Sequence, residues 1–275
     1  MNKLGVKLIL IICVMTIQSK VFAFPANSLR PGGLGVISVL PSHQPKPYVT
    51  YNRSPVTLVK GATNWLAVVG INLKAKSGSH KIIIKEKGGK KTIKAFNVKA
   101  HRYKTQRLTI KNKNKVNPNK QSRSRIQKEQ ALTQKLKNTF SDKPPRMNFI
   151  KPVSGRDSGR FGLRRILNQQ KRNPHSGMDI AAPKGRKIRA SESGNVIFVG
   201  HLFFTGKVVY VDHGSGLISL YAHLSQFDVK KGQRIKRGDL IGRVGKTGRV
   251  TGAHLHWSVY LNGNAVDPAL FIKNQ

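Results

Sequence analysis

The stretch Thr251-Gly252-Ala253-His254-Leu255-His256-Trp257-Ser258, near the C-terminus, decides how the second half of the chain is expected to fold. Its apolar residues predict a β-strand, and on a strand residues i and i+2 point to the same face of the sheet. His254 and His256 would therefore enter one site. Two adjacent imidazoles are costly in a protein core but useful for a metal-assisted reaction, which requires further ligands elsewhere in the chain.

Six of the nine histidines fall between positions 175 and 256, and four of them lie in three short segments. These segments are His175-Ser176-Gly177-Met178-Asp179, Tyr221-Ala222-His223-Leu224 and the stretch quoted above. Pro174, Gly177 and Pro183 argue against a helix around the first segment, so His175 and Asp179 would converge through a loop-to-strand turn.

Two neutral imidazoles and one carboxylate form a zinc ligand set with an open fourth position for water, whose pKa zinc lowers to about 7. Two histidines would then remain near the metal to move protons and stabilise an oxyanion. The alternative is that these are unrelated surface or hydrogen-bonded core histidines. His213 precedes a glycine turn and is expected to hydrogen-bond that hairpin, whereas His43, His80 and His101 are expected to be single exposed side chains.

The N-terminus predicts export. Lys3 and Lys7 precede a short apolar run from Leu8 to Ile17, and Val21-Phe22-Ala23 resembles a cleavage site, so residues 1–23 are predicted to be a signal peptide. An uncleaved anchor is the alternative, although the run is shorter than the ~20 residues of a membrane span. The expected location is the periplasm or cell envelope, or the extracellular medium. Cleavage would remove Cys13, the only cysteine, so disulfides and cysteine zinc sites are excluded from the mature chain.

The predicted fold class is mainly β. Residues 24–115 are expected to form a small β-sandwich-like N-terminal domain, with strands at Leu34–Leu40, Trp65–Ile71, Lys81–Lys85 and Arg107–Ile110 and a hairpin at Gly88-Gly89. Residues 116–145 are expected to be a basic linker with a short amphipathic helix over Ser124–Asn138. Residues 146–275 are expected to form an antiparallel β domain with strands at Asn195–Val199, Val208–Asp212 and Leu217–His223.

The charge of the chain is strongly positive. The formal net charge is +41 at pH 7, and between Lys74 and Lys137 there are 21 Lys or Arg residues against only Glu86 and Glu129. Nucleic acid is one candidate partner for such a run, but the predicted export and the few, irregular aromatic residues argue against it. An anionic envelope surface is the favoured partner of this basic N-terminal region, and a simply solvated face is the alternative.

From about Gly159 to Phe271 the sequence resembles the M23 family of zinc metallopeptidases, the lysostaphin/LytM-type peptidoglycan endopeptidases. The resemblance rests on an ordered set of motifs: Arg160-Phe161-Gly162-Leu163-Arg164, His175-x-x-x-Asp179-Ile-Ala-Ala-Pro183, Tyr221-Ala222-His223-Leu224, Gly232-Gln233, Ile241-Gly242, Thr247-Gly248, Thr251-Gly252-x-His254-Leu255-His256, Asn262-Gly263 and Asp267-Pro268.

The resemblance implies an exported zinc metalloendopeptidase that binds one Zn²⁺ per chain and cleaves stem peptides or cross-links of peptidoglycan. It assigns His175, Asp179 and His256 as zinc ligands and His223 and His254 as catalytic histidines. Trp257-Ser258 stands where the family often has Phe-Glu, for which only local packing or outer-sphere effects are expected. The match is loose at Phe204-Thr205-Gly206-Lys207, so the choice of substrate is the least defined property.

Two other functional classes were weighed. A non-catalytic LytM-type wall-binding protein or activator of another hydrolase would lose zinc ligands or catalytic histidines, and all five positions are intact here. A biotinyl- or lipoyl-type carrier fits the pattern from Val229 to Gly242, but no suitably placed acceptor lysine is found. The sequence therefore favours an enzyme.

Overall fold

A computed structural model describes residues 25–272, so the signal peptide predicted over residues 1–23 lies outside the described residues. None of the helices in this part of the chain has the length and apolar character needed to cross a membrane.

Two small antiparallel sheets make up the N-terminal region and pack face to face. The strands, in chain order, are β1 (Leu34–Pro41), β2 (Tyr48–Tyr51), β3 (Ser54–Pro55), β4 (Thr57–Lys60), β5 (Asn64–Gly70), β6 (Gly78–Lys85), β7 (Lys91–Val98) and β8 (Thr105–Leu108). One sheet has the order β1-β5-β4 and the other β3-β2-β6-β7. Leu58 and Val69 of the first sheet share a buried core with Val49 and Ile82 of the second, which confirms the predicted sandwich-like arrangement.

The predicted hairpin at Gly88-Gly89 joins β6 to β7. Gly89 has φ 87°, a left-handed conformation that glycine adopts without steric cost. Side chains of β6 alternate between the core and solvent, with Ile82 and Ile84 buried and Ile83 exposed, as expected for a sheet with one solvated face.

One helix, α1 (Lys120–Lys137), connects the two regions of strands within the described chain. It begins four residues before the predicted start at Ser124, because the Asn119 side chain caps it by accepting a hydrogen bond from the Ser122 amide at 2.9 Å. At 18 residues it is longer than the short helix expected. Its buried Leu136 packs against Leu202, Tyr210 and Tyr260 of the C-terminal region, so this segment is a packed element rather than a free spacer.

A large sheet dominates the C-terminal region. The strands are β9 (Arg156–Gly159), β10 (Arg164–Leu167), β11 (Gln170–Lys171), β12 (Met178–Ala181), β13 (Lys187–Arg189), β14 (Gly194–Leu202), β15 (Gly206–Asp212), β16 (Leu217–Phe227), β17 (Arg234–Ile235), β18 (Leu240–Val244), β19 (His254–Leu261) and β20 (Asn264–Val266). Short 3-10 helices cover Lys113–Lys115 and Pro268–Phe271. The sheet has the order β17-β14-β15-β16-β19-β12-β9, with β13, β18 and β20 attached at its side.

Strand β16 is covered on both faces. Ile218, Leu220 and Ala222 join the cluster that contains Leu136 of α1, whereas Leu217 and Tyr221 face the larger core on the opposite side. A strand buried on both faces has a nearly continuous apolar sequence, which is what residues 217–224 show.

The predicted strand at Arg107–Ile110 lies slightly earlier, as β8, and joins neither N-terminal sheet. It pairs in parallel with β10, with Thr105 opposite Arg164 and Leu108 opposite Leu167. The expectation that it belongs to the N-terminal sandwich is therefore wrong. Its backbone hydrogen bonds are satisfied by a strand more than 50 residues further along the chain.

The two regions also share a buried core. Leu34 and Val68 of the N-terminal sandwich belong to the same apolar cluster as Leu217 and Trp257. The Thr57 hydroxyl donates to the Ser215 carbonyl at 2.6 Å across the same contact. The N-terminal sandwich and the C-terminal sheet are thus held together by apolar burial and by a buried hydrogen bond.

Candidate metal centre and active-site groove

Strands β12 and β19 position the central residues. They pair in antiparallel fashion with Asp179 directly opposite His256 and Ala181 opposite His254. Directly paired residues on one face of a sheet have adjacent side chains, so the register brings the carboxylate against the imidazole. His175 is buried in the loop just before β12, and the predicted loop-to-strand turn at Gly177 brings it back to Asp179.

Three possible metal ligands converge at this point. His175 Nε2 lies 2.9 Å from Asp179 Oδ1, and His256 Nδ1 lies 2.8 Å from the same oxygen. The two ring nitrogens are 3.0 Å apart. Each of the three residues thus offers one ligand atom, and these three atoms all lie within 4.8 Å of one another.

The outer nitrogen of each imidazole has a hydrogen-bond partner. His175 Nδ1 lies 2.8 Å from the Arg160 carbonyl oxygen, which only accepts, so Nδ1 carries the proton and, in the neutral ring, Nε2 presents a lone pair. His256 Nε2 lies 2.9 Å from Ser258 Oγ. With Nε2 of His256 donating to that hydroxyl, both inner nitrogens and the Asp179 carboxylate are electron-pair donors that face one another. Such an arrangement is repulsive alone and suits a cation, and two imidazoles with one carboxylate are a donor set that zinc prefers.

Electrostatics keep these groups in the protonation states that a metal needs. Burial by itself would raise the pKa of the Asp179 carboxyl, but the adjacent imidazoles of His175 and His256, both within hydrogen-bond distance, hold that pKa well below its usual range. Burial lowers the pKa of His256 to about 4, with Asp179 acting in the opposite direction. At neutral pH the aspartate is therefore ionised and His256 is neutral.

Arg165 supports the carboxylate from the side away from the imidazoles. Its Nη2 donates to Asp179 Oδ2 at 2.8 Å, whereas Oδ1 faces the two histidines. Arg165 lies on β10, the strand that pairs with β8, so the sheet that includes β8 positions this contact. The guanidinium orients the aspartate and leaves one oxygen for a metal.

His223 lies in β16, at an irregular point of the strand. Its φ of 67° is in the left-handed region, which is uncommon for a residue with a side chain and which concentrates at functional sites. Its Nδ1 donates to the Thr247 carbonyl at 2.8 Å, so Nε2 of the neutral ring is free to accept. Burial, followed by the neighbouring His254 and His256, holds the pKa of His223 well below its usual value, so the ring is neutral at pH 7.

His254 stands beside His223, with ring centroids 4.9 Å apart. Its Nδ1 donates to the Gly252 carbonyl at 3.0 Å, and its Nε2 lies 3.7 Å from Asp179 Oδ1. Both histidines thus anchor one nitrogen on a backbone carbonyl and leave the other as a proton acceptor. Two oriented imidazole bases therefore lie next to the ligand cluster.

A groove of about 310 Å³ opens over these residues. Its floor is the histidine and aspartate cluster. Its walls include residues 106–110, which contain the end of β8, residues 165–176, and the loops at 204–205 and 249–251. The loop at Phe204–Lys207, where the sequence match is loose, borders the groove as expected. One wall comes from the N-terminal half of the chain, which the sequence did not indicate.

All five residues predicted for the site lie together in the groove: His175, Asp179, His223, His254 and His256. The sequence reasoning missed the contact of Arg165 with Asp179 and the position of Arg249, since nothing distinguishes these two among 51 basic residues. A signal for Ser258 was available, because it follows His256 by two positions and so lies on the same strand face. Its neighbour Trp257 is fully buried near Phe149, which agrees with the expected packing role.

The remaining histidines lie away from this groove. His213 is buried, and its ring contacts the Ser193 carbonyl at 2.9 Å and the Ser219 hydroxyl at 2.7 Å, which confirms the predicted hydrogen-bonding role. His43 and His101 are exposed as expected. The same expectation is wrong for His80, which is half-buried and 2.7 Å from the Tyr51 hydroxyl, because β2 and β6 are neighbours in the sheet.

Comparison with known proteins assigns the class of the molecule. The family model for "Peptidase family M23" matches residues 173–268, and the model for "Peptidase family M23 N-terminal domain" matches residues 27–101. A solved structure of an M23-type protein from Pseudomonas aeruginosa is 37% identical, covers 89% of this chain and 95% of its own, and superposes with a TM-score of 0.75. The chain belongs to peptidase family M23.

Curated relatives match part of the chain. The DD-carboxypeptidase/endopeptidase Mpg of Neisseria meningitidis serogroup B is 45% identical over 94 residues, which are 34% of this chain and 22% of Mpg. The peptidoglycan DD-endopeptidase ShyA of Vibrio cholerae is 41% identical over 113 residues, which are 41% of this chain and 26% of ShyA. The chain thus spans about a quarter of the length of these relatives.

Proposed function

We propose that this protein is an exported zinc endopeptidase that hydrolyses peptide bonds in the stem peptides or cross-links of peptidoglycan. One observation carries the proposal: His175, Asp179 and His256 each place a possible ligand atom within 4.8 Å of the others, directly beside two further oriented imidazoles. The names of Mpg and ShyA support the substrate class, and the family match over residues 173–268 includes all five predicted site residues.

His175 Nε2, Asp179 Oδ1 and His256 Nδ1 would hold the zinc ion. When bound at such a site, zinc lowers the pKa of water and polarises a carbonyl group, which suits amide hydrolysis. The Arg160 carbonyl holds His175 in the tautomer that ligation requires, and the Ser258 hydroxyl is placed to accept from His256 Nε2 in the corresponding tautomer of that ring. Arg165 keeps the Asp179 carboxylate turned toward the same point.

His223 and His254 would move protons and stabilise charge. Each has Nδ1 anchored on a backbone carbonyl, so Nε2 is the atom that accepts a proton from the attacking water or, once protonated, donates to the substrate oxygen or leaving amine. The lowered pKa of His223 favours the neutral ring, which stabilises an oxyanion as a hydrogen-bond donor only after it has gained a proton. Either ring can therefore accept a proton in its neutral form and donate one once it is protonated.

Purified peptidoglycan and metal analysis test the proposal together. The wild-type protein is expected to contain about one zinc per chain and to release peptide products that mass spectrometry identifies. His254→Ala should keep zinc and lose turnover by about 10²-fold or more, since it removes a group for proton transfer. Asp179→Ala should lose zinc and turnover. His201→Ala, at an exposed position outside the groove, is the matched control and should behave as the wild type.

The same experiment separates the non-catalytic alternative. A protein that binds zinc but releases no peptide from any peptidoglycan would support a wall-binding protein or an activator of another hydrolase. Turnover that survives strong chelation would contradict the metal assignment.

The exported location rests on residues 1–23. Mass spectrometry of the protein recovered from the cell envelope is expected to show a chain that begins at Phe24. A full-length chain in the cytoplasm would refute export.

The N-terminal sandwich supports a second contact, with an anionic lipid surface of the envelope. The solvated face of β6 and β7 carries Ile83 opposite Ile93, both exposed, and Lys85 opposite Lys91 in the next row. Apolar residues among lysines favour binding to anionic lipid headgroups, with a salt-sensitive component. The wild type should sediment with anionic vesicles, and the bound fraction should fall at high salt. The Ile83→Ser, Ile93→Ser double variant should bind the same vesicles less than the wild type. Equal binding to neutral vesicles would refute this contact.

A further inference from the structure

The groove carries an excess of positive charge that the proposed chemistry does not use. Among the described residues that line it, three are arginines, at positions 165, 172 and 249, and Asp179 is the one acid. Arg165 is paired with that acid at 2.8 Å. Arg172 and Arg249 therefore face the groove without a neutralising carboxylate, and a bound metal would add further positive charge.

Arg249 is the more exceptional of the two. Its guanidinium lies over the Phe204 ring, 4.7 Å from the centroid, and its backbone amide donates to the Phe204 carbonyl at 2.8 Å. Within residues 25–272 the guanidinium makes no hydrogen bond or ion pair. Five N–H groups are thus held in place by stacking alone, on the wall of the groove.

The surroundings make this position costly for a cation. Burial, together with the charges of Arg165 and Arg172, lowers the pKa of Arg249 to about 10. Arg172 is fixed nearby through oxygen atoms of the chain: its Nη2 donates to the Val116 carbonyl at 3.0 Å and to Asn117 Oδ1 at 2.9 Å. A partly buried, unpaired guanidinium beside other cations is stabilised when an anion binds to it.

We propose that Arg249, assisted by Arg172, forms a subsite that binds a free carboxylate of the peptide substrate. The inference rests on the proposed function, which supplies a peptide in this groove, and it adds a determinant of substrate choice. A guanidinium presents a planar fork that matches a carboxylate in two parallel hydrogen bonds. Stacking on Phe204 pre-orients that fork, so little side-chain freedom is lost on binding.

The test compares a synthetic cross-linked peptide that has free carboxylates with the same peptide fully amidated. Four proteins are assayed: the wild type, Arg249→Gln, Arg249→Lys and the matched control Lys246→Gln, whose exposed side chain lies three residues earlier and outside the groove. Amidation is expected to lower kcat/KM of the wild type and of Lys246→Gln by about tenfold to a hundredfold, the range for a hydrogen-bonded charge pair.

Arg249→Gln should cleave the two peptides at rates within about twofold of each other, and Arg249→Lys should retain part of the preference, since it keeps the charge but not the fork. Zinc content of all four proteins should be equal, which separates a lost subsite from a damaged metal centre. Two singly amidated peptides, one at the C-terminal carboxyl and one at a side-chain carboxyl, show which carboxylate is bound.

The proposal is overturned if the wild type shows no preference for the free carboxylate, or if Arg249→Gln keeps the full preference. Either result leaves the endopeptidase activity intact and so does not touch the proposed function. A wild type that binds zinc but cleaves neither peptide nor purified peptidoglycan would instead refute the proposed function, and this subsite with it.

Discussion

Ser258 gives the sharpest test of how the chain positions the proposed metal ligand His256. The side chain is fully buried in β19, and its Oγ lies 2.9 Å from His256 Nε2. Replacement with Ala would leave the Nε2–H of a buried imidazole without a partner and would free the ring to rotate. An unsatisfied buried donor costs about 1–3 kcal/mol, and loss of an outer hydrogen bond to a ligating histidine typically lowers metal affinity about 10–100-fold.

The two magnitudes agree, because a tenfold change in affinity corresponds to about 1.4 kcal/mol. We therefore expect Ser258→Ala to bind zinc about 10–100-fold more weakly than the wild type. Competition for Zn²⁺ against a chromophoric chelator measures this directly, without dependence on turnover.

Ser219→Ala is the matched control. Ser219 is equally buried, on the neighbouring strand β16, and its Oγ lies 2.7 Å from Nε2 of His213, which is not a ligand. Both variants should unfold at lower denaturant concentration than the wild type, but only Ser258→Ala should lose zinc affinity. Wild-type affinity in Ser258→Ala, with stability reduced as in Ser219→Ala, would refute a positioning role for this hydroxyl.

Three further outcomes follow from the same structure. Burial lowers the pKa of His213 below its unfolded value of about 6.5. On acidification the unfolded chain therefore takes up a proton first, so the free energy of unfolding falls below pH 6.5, by at most about 1.4 kcal/mol per pH unit. The free energy of unfolding, measured with denaturant at pH 7 and pH 5, should fall less for His213→Gln than for the wild type. An equal fall in both proteins would contradict a buried neutral ring. Leu136→Ala should cost about 2–5 kcal/mol of unfolding free energy, since α1 packs on the sheet through this residue, whereas exposed Lys135→Ala should cost little. Removal of zinc by a chelator should abolish peptide release and lower Tm, both restored by added zinc; a Tm that does not respond would argue against a metal bound to the native state.

Short-range patterns predicted the parts of the molecule that short-range physics decides. Alternation on a strand placed His254 and His256 on one face, and the proline and glycine around His175 indicated a turn into a strand. The glycine pair at 88–89 marked a hairpin. These features depend on residues only a few positions apart, so the sequence contains the whole signal.

Long-range pairing was not predictable in the same way. β8 has the composition of a strand in the N-terminal region, but its partner β10 is chosen by tertiary packing and not by any residue near it. The contact of Arg165 with Asp179 depends on that pairing, because β10 carries the arginine. The left-handed backbone of His223 was also invisible, since a φ of 67° at a non-glycine residue is imposed by the surrounding sheet.

The parallel pairing of β8 with β10 makes the groove dependent on the order in which the chain is completed. A ribosome releases residues 105–108 well before residues 164–167, so the earlier strand must wait, unpaired, for its partner. A waiting strand exposes free amide and carbonyl groups and is open to wrong partners. The complete site also needs His254 and His256 of β19, so the groove can assemble only after residues 254–256 have left the ribosome as well.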